Sequence, residues 1–425
     1  MKRALLPVGP PVLRASSQPA LQPPRQSASR MLAAAMLLAA APAYCANYAA
    51  TLLLRDDDPR LERSRLERAY LGQSGGAASD GLAVALKEAK LEMDADATGI
   101  TLTTVAVASA AAARDAAAKA EKAGAAALVA DLPADWLLAA SDAVKLPVLN
   151  VGEADDRLRE RDCRPRLFHL LPSERMRADA LAQTLVANKW PQVLLLTGTS
   201  AQDVARGAVA QAAIKRYGLR LVASKPFKLS GDPRERALAN PLLLTGVAGA
   251  SGTAAYDVVW VVDSDGEFAR GLPYRTALPR PVVGDAGLAA LAWHASFERF
   301  GAPQVSRRFA KSAGRPMTAP DWAAWLAGKA LAAAAVAAQA DKAGAKTPGG
   351  ALAAFQKALA EVQVDGSKGV VMGFRPWDGQ LRQPMLLSDG QGVVAMAPTD
   401  GILHPKNSLD TLGADAPEKL CKARP

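Results

Sequence analysis

Cysteine and histidine are scarce in this 425-residue chain, at three of each, and aromatic side chains make up only 5% of it. That scarcity removes whole classes of chemistry. His169, His294 and His404 lie far apart, and no histidine or cysteine recurs at the short spacing of a zinc site. No Gly-x-Gly-x-x-Gly follows an apolar run. Gly344-Ala345-Lys346-Thr347 has the wrong glycine–lysine spacing for a phosphate loop and follows a helical stretch. Gly72-Gln73-Ser74-Gly75-Gly76 matches the letters of a nucleophile elbow, but that motif must leave a buried strand. Arg60–Tyr70 before it is charged and helical in pattern, so the stretch reads as a loop. With no nucleophile set beside a base, the sequence points to a non-enzyme and calls for no cofactor and no metal.

The formal net charge is +10, and five of its cations, Lys2, Arg3, Arg14, Arg25 and Arg30, stand in the first 46 residues with no acid among them. Taking those five from +10 leaves +5. The remaining cations are dispersed among acids, which argues against a nucleic-acid partner. Met31–Ala41 is an unbroken apolar run, shorter than the about 20 residues a membrane span needs, and Ala41-Pro42-Ala43 supplies small residues for cleavage. Residues 1–46 therefore read as a signal peptide and leader, giving a periplasmic protein that does not span the membrane. The leader is long for this purpose, so a start at or near Met31 is an alternative. Tyr44 is too bulky a neighbour for a lipid anchor on Cys45.

Cleavage after Ala46 leaves Cys163 and Cys421, in a compartment that permits disulfides. A Cys163–Cys421 bridge tying the tail to the body is expected, the alternative being two free thiols.

From Tyr48 onward, short apolar runs alternate with alanine-rich helical stretches. Strands are expected at Tyr48–Leu54, Ile100–Val107, Ala126–Ala130, Pro147–Val151, Leu167–Leu170, Val193–Thr197, Arg220–Pro226, Asp257–Val262 and Pro281–Gly284. Their uninterrupted apolar character suits strands buried on both faces of a parallel sheet. Helices are expected at Ser79–Leu91, Ala108–Ala123, Arg175–Lys189, Asp203–Tyr217, Met317–Ala340 and Ala351–Leu359. The alanine run Ala330–Ala340, bracketed by Lys329 and Asp341, reads as a core helix. The pattern is α/β, with right-handed crossovers. Pro172-Ser173-Glu174 opens a second strand–helix series, which makes two lobes. Their boundaries are set at 47–172 plus about 295–346 and at 173–294 plus about 347–425.

Ligands of open α/β sheets bind at strand C-termini. Those loops carry Arg55, Asp56 and Asp57, then Asp131, then Asn150 and Glu153 in the first series. In the second they carry Thr197, Thr199 and Ser200, then Asp263, then Asp285. These are the candidate ligand-binding residues; helix capping is the competing role for each. The Asp56–Asp58 cluster lacks the alternating spacing and glycine of a calcium loop, and Arg55 and Arg60 flank it.

Several landmarks carry a resemblance: ADLPADWLL (Ala130–Leu138), DDRLRERDCR (Asp155–Arg164), HLLPSERM (His169–Met176), LPYRTALPRPVVGDAGL (Leu272–Leu288), AWH (Ala292–His294) and FRPWDGQLRQP (Phe374–Pro384). Together they resemble a branch of ABC-transporter substrate-binding proteins that accompanies PQQ-dependent alcohol oxidation. The resemblance implies a two-lobed type I periplasmic-binding fold, each lobe a mainly parallel sheet flanked by helices. It also implies a small-molecule ligand in the cleft, with an ABC permease and ATPase, or a quinoprotein dehydrogenase, as partners. HLLPSE then resembles the first crossing between lobes, and Trp293–Phe300 the return. Branched-chain amino-acid binders usually carry a glycine- and serine-rich loop after the first strand, where this chain has Arg55-Asp56-Asp57-Asp58. An alcohol-derived metabolite or small organic acid fits better than an amino acid. Phe374–Leu387 itself reads as a strand–turn–strand of the second lobe.

Titration of the denatured, unreduced protein cut after Ala46 is expected to find no free thiol. Two reactive thiols would sink the pairing.

Overall fold

The computed structural model describes residues 46–61, 75–228, 232, 256–276, 279–340 and 349–424. The leader, Gly344–Thr347 and Ser74 of the elbow-like motif lie outside the described residues.

The first lobe is laid down by β1 (Ala46–Arg55), α1 (Ala78–Ala95), β2 (Thr98–Val107), α2 (Ala110–Lys122), β3 (Ala125–Asp131), α3 (Ala134–Asp142), β4 (Val148–Asn150) and β5 (Leu167–His169). Its five strands pair in parallel in the order β2-β1-β3-β4-β5. The second lobe begins with α4 (Glu174–Ala187), β6 (Gln192–Thr197), α5 (Ala201–Arg216), β7 (Arg220–Pro226), β8 (Val258–Val262), the short α6 (Glu267–Gly271), β9 (Val282–Gly284) and β10 (Ala289–Leu291). Here the parallel order is β7-β6-β8-β9, the same outward-then-inward winding as in the first lobe. Each central strand is a run of apolar residues because helices cover both faces. In β3 and β8 every residue is buried.

The chain then returns. α7 (Ala302–Ala313) and α8 (Ala319–Ala340) pack with Trp293 and Phe297 into the first lobe's core. α8 is long and apolar enough to cross a membrane by composition, but 67% of its apolar window is buried in the protein. Glycine makes its seat against α1. A Cβ on Gly81 would lie 2.4 Å from the Asp321 carbonyl, and one on Gly328 would lie 2.6 Å from the Ala85 Cβ. A methyl group at either position would force the helices apart, so the alanine face of α8 and the glycines of the crossing form one close-packed interface.

After α9 (Gly350–Ala360) come a two-stranded pair, β11 (Val364–Asp365) and β12 (Val371–Met372), then β13 (Met385–Ser388) and β14 (Val393–Ala397). The last two pair with β10 as an antiparallel sheet. Two expectations need correction here. α9 was assigned with the segment from about 347 to the second lobe, but Phe355 is fully buried in the first lobe's core, stacked 4.6 Å from Tyr48. Phe374–Leu387 is not confined to the second lobe either. Gly379 and Leu381 hydrogen-bond both sides of His169, at 2.9 Å each, so the segment extends the first sheet at its edge before the chain passes into β13.

The Cys163–Cys421 disulfide is present, spanning 258 residues. The tail before it lies on the second lobe. Gly413 donates to Asp179, Thr411 accepts from Tyr217, and Leu412 enters that lobe's core. Beyond it, Arg424 donates to the Leu167 and Arg164 carbonyls of the first lobe. The C-terminus is thus a strap between lobes.

Lys368 tests how dry this region is. It is fully buried, lies 3.7 Å over the Trp322 ring, and donates only to Gln383 Oε1 (3.0 Å) and the Pro384 carbonyl (3.1 Å). Burial drives its pKa well below 10.5. The folded state therefore binds fewer protons than the unfolded chain between that lowered value and 10.5, and stability rises with pH across this window. Urea unfolding of wild type and Lys368→Met as a function of pH is expected to show the difference growing in favour of wild type as pH rises. A pH-independent difference would contradict a neutral buried amine.

Candidate functional site

In both sheets the winding reverses beside the first strand. The reversal opens a crevice at the carboxyl ends of β1 and β3 in one lobe and of β6 and β8 in the other. In the first crevice, Asp58 and Asp131 are buried and are bridged by Arg60. Its guanidinium donates to Asp58 at 2.6–3.0 Å and to Asp131 Oδ1 at 2.7 Å. Burial pushes the Asp58 carboxyl up, but the hydrogen bonds and charge of Arg60 outweigh it and the pKa falls below the usual carboxylate value. At Asp131 burial wins and the pKa is raised. Gly152 is required beside this pair, since a Cβ there would lie 1.9 Å from Asp131 Oδ1. Arg55 stacks on Trp136, with its guanidinium carbon 5.6 Å from the ring, and Asp56 and Asp57 are exposed.

The next loop is held by its own polar groups. Asn150 is fully buried. It donates to the Glu153 carbonyl, contacts His169 Nδ1 at 3.0 Å, and accepts from the Gly152 and Glu153 amides. Glu153 accepts from the amides of Ala134, Ala154 and Asp155. Both side chains are thus committed to loop geometry and to the start of α3.

The second crevice is similar. Ser200 caps α5, accepting from the Asp203 amide and donating to Asp203 Oδ2, while Asp203 Oδ1 receives the Ser264 amide. Thr199 is exposed. Asp285 accepts a bidentate pair from Arg206 (2.7 and 2.9 Å) and the Asp263 amide (2.7 Å). Asp263 Oδ2 accepts from the Ala269 amide in α6, while Asp263 Oδ1 is buried without a partner, as is Thr197 Oγ1. Burial raises the Asp263 pKa, and the Asp203 and Asp285 charges add to that against the amides.

Between the lobes lies a groove of about 550 Å³. The first lobe contributes Glu153, Asp155, Arg157 and neighbours up to Arg161, and the second contributes Glu174 of α4 with Gln202 and Arg206 of α5. Of the residues expected from sequence, Glu153 lines this groove. The structure brings Asn150 to Glu153 and Asp263 to Asp285. It joins Asp131 to Asp58, which was not a candidate. Arg206 escaped sequence reasoning because it sits within a helix, away from any strand end, and Glu174 because it opens α4 at the crossing between lobes. Arg206 joins Glu174 (3.3 Å) to Asp285, and its sequence signal is an arginine six residues past the capping Ser200.

The chain has the type I periplasmic-binding fold. An ABC transporter substrate-binding protein from Sphaerobacter thermophilus superposes with a TM-score of 0.63 at 15% identity, covering 83% of this chain and 98% of that one. A periplasmic binding protein from Burkholderia mallei gives 0.60 at 14%, covering 89% and 99%. A solute-binding protein of an ABC transporter from R. palustris, in complex with benzoate, gives 0.57 at 14%, covering 82% and 95%. No family model matches the chain, and no curated protein does.

Replacing Arg60 by Gln strands two carboxylates that are only 8% exposed, although the guanidinium itself is half exposed. Urea unfolding at pH 7 is expected to show a loss of about 1–2 kcal/mol, the half-exposed side of the pair discounting a fully buried bridge. An unchanged midpoint would show that the bridge is not what neutralises the crevice.

Proposed function

We propose that this protein is the periplasmic solute-binding component of an ABC transporter, closing its two lobes on a small organic solute without performing chemistry. The observation that carries this reading is the interlobe groove. It lies in a fold shared with a solute-binding protein in complex with benzoate and a substrate-binding protein in complex with Leu, and such two-lobed folds close about a hinge. Glu153, Arg157, Glu174 and Arg206 are the charged groups that line the groove, and on this reading they set the polar surface the solute meets. A link to PQQ-dependent alcohol oxidation rests on the sequence landmarks, above all Phe374–Pro384, and an alcohol-derived metabolite or small organic acid is the ligand class that follows.

A second reading, an accessory or sensor protein for a quinoprotein dehydrogenase system with no transport role, is favoured by the strap. A covalent link between lobes at Cys163–Cys421 suits a protein that recognises a partner in one arrangement.

A thermal-shift screen of small acids, alcohols, amino acids and PQQ, followed by solution scattering with any hit, separates the two. A ligand that binds the native state raises the melting temperature. The transport reading expects such a hit together with a smaller radius of gyration. No hit at millimolar concentration, with co-purification of a dehydrogenase, would replace it with the accessory reading.

A further inference from the structure

The first lobe's sheet has one open edge. Its β5 side is closed by Gly379 and Leu381 at His169, but no described residue pairs with the outer side of β2. β2 runs for ten residues in unbroken register with β1, from Thr98 opposite Ala46 to Val107 opposite Arg55. The amides of Ala46 and of Asp56, just past β1, donate to the Ala97 and Val107 carbonyls at 3.1 and 2.9 Å. Odd-numbered residues here therefore turn their main-chain groups inward. Alternate residues of a strand turn opposite ways, so Thr98, Ile100, Leu102, Thr104 and Ala106 present five N–H and five C=O groups at the open edge. Thr101, Thr103, Thr104 and Ala106 are exposed. Proteins that stay single blunt such an edge with charge, proline or a bulge. Thr98–Val107 holds no charged residue and no proline, and its register with β1 never shifts.

We infer that β2 is the interface to a second copy of this chain, the two β2 strands running antiparallel about a two-fold axis at Leu102. Leu102 is the middle of the five outward-facing residues, so an axis there sets every outward group against another. Thr98 faces Ala106 of the second copy, Ile100 faces Thr104, and Leu102 faces its own counterpart. Five N–H donors from each copy make ten hydrogen bonds in all. No charge on the strand opposes the approach. Asp94 and Asp96, which precede it, fall at opposite ends of an antiparallel pair and stay clear of their counterparts. The contact is isologous, so it uses up the open edge of both sheets and assembly stops at two. The interlobe groove draws no residue from β2, so the inference stands or falls separately from the transport reading.

Sedimentation equilibrium of the chain cut after Ala46 tests this. A monomer–dimer equilibrium with a dissociation constant of about 10 µM is expected, since the cost of association offsets most of the ladder. Thr104→Pro removes an outward N–H and leaves the β1 ladder intact, and Thr103→Lys puts a charge on an exposed position of the strand. Each is expected to weaken the dimer at least about tenfold while the melting temperature of the dilute monomer stays unchanged. Cysteine reads the register, because Cys163 and Cys421 are already bonded to each other. Mild oxidation of Leu102→Cys is expected to give a disulfide-linked dimer, the facing Cα atoms lying about 5.5 Å apart. Ala106→Cys, about 27 Å from its counterpart, is expected to give none. The inference is overturned if the chain is monomeric at about 200 µM, if both edge variants dimerise like wild type, or if Ala106→Cys cross-links and Leu102→Cys does not.

Discussion

Gln380 stands where the chain changes lobes, and its side chain carries the constraint on which the two-lobed arrangement depends. The amide nitrogen donates to the carbonyls of His169 and Leu171, and the amide oxygen accepts from Arg159. Arg159 is itself buried and donates on to the carbonyls of Glu153, Asp155 and Leu171. Gln383 adds a bond of 2.6 Å to the Leu170 carbonyl. At a crossing the backbone leaves one sheet before it joins the next, and its carbonyls lose their ladder partners. Left unpaired and dry, each would cost about 1–3 kcal/mol. Two glutamines and one arginine replace the missing ladder, and the glutamines come from a segment more than 200 residues away in sequence, which ties the first crossing to the last.

This requirement explains the sequence feature that best marks the chain. Arg375 in FRPWDGQLRQP is fully buried and donates to Asp410 and to the carbonyls of Leu409 and Leu412, while Trp377 donates to the Ala414 carbonyl. Gly379 turns at φ +70°, which favours glycine, and presents its carbonyl to His169. Every distinctive residue of the motif is spent on fastening the tail and the hinge. A motif spent in this way carries structural information and says nothing about a ligand.

Much of the fold was legible because a strand covered on both faces must be apolar throughout. β3, β6 and β8 announce themselves, and β7 was expected at the residues it occupies. α3 and α7 were missed for opposite reasons. α3 is nine residues long and begins directly after the strand-end loop at Asp131–Pro133, while α7 follows a glycine turn and a stretch dominated by aromatics. The place of α9 was illegible because lobe membership is decided by which core receives Phe355, and nothing local encodes that. The candidate site was legible as a set of strand-end loops, since topology alone locates them. Their partners were not, because Arg60, Asp203 and Arg206 act across loops that approach only in the folded lobe.

Self-satisfaction of those loops changes what a ligand meets there. Glu153, Glu174 and Arg206 of the groove already have protein partners, so a solute entering it, as proposed, would find polar surface whose hydrogen bonds are largely made. Such a surface gives little new enthalpy and does not have to be ordered at the moment of binding. On that reading, discrimination falls to the pattern of charge around the groove, Glu153, Asp155, Arg157, Glu174 and Arg206. It also falls to shape, because residues locked by Arg60 and Arg206 cannot swing aside to admit a larger solute. The same ion pairs that keep the loops in place thus narrow the range of molecules the cleft can accept.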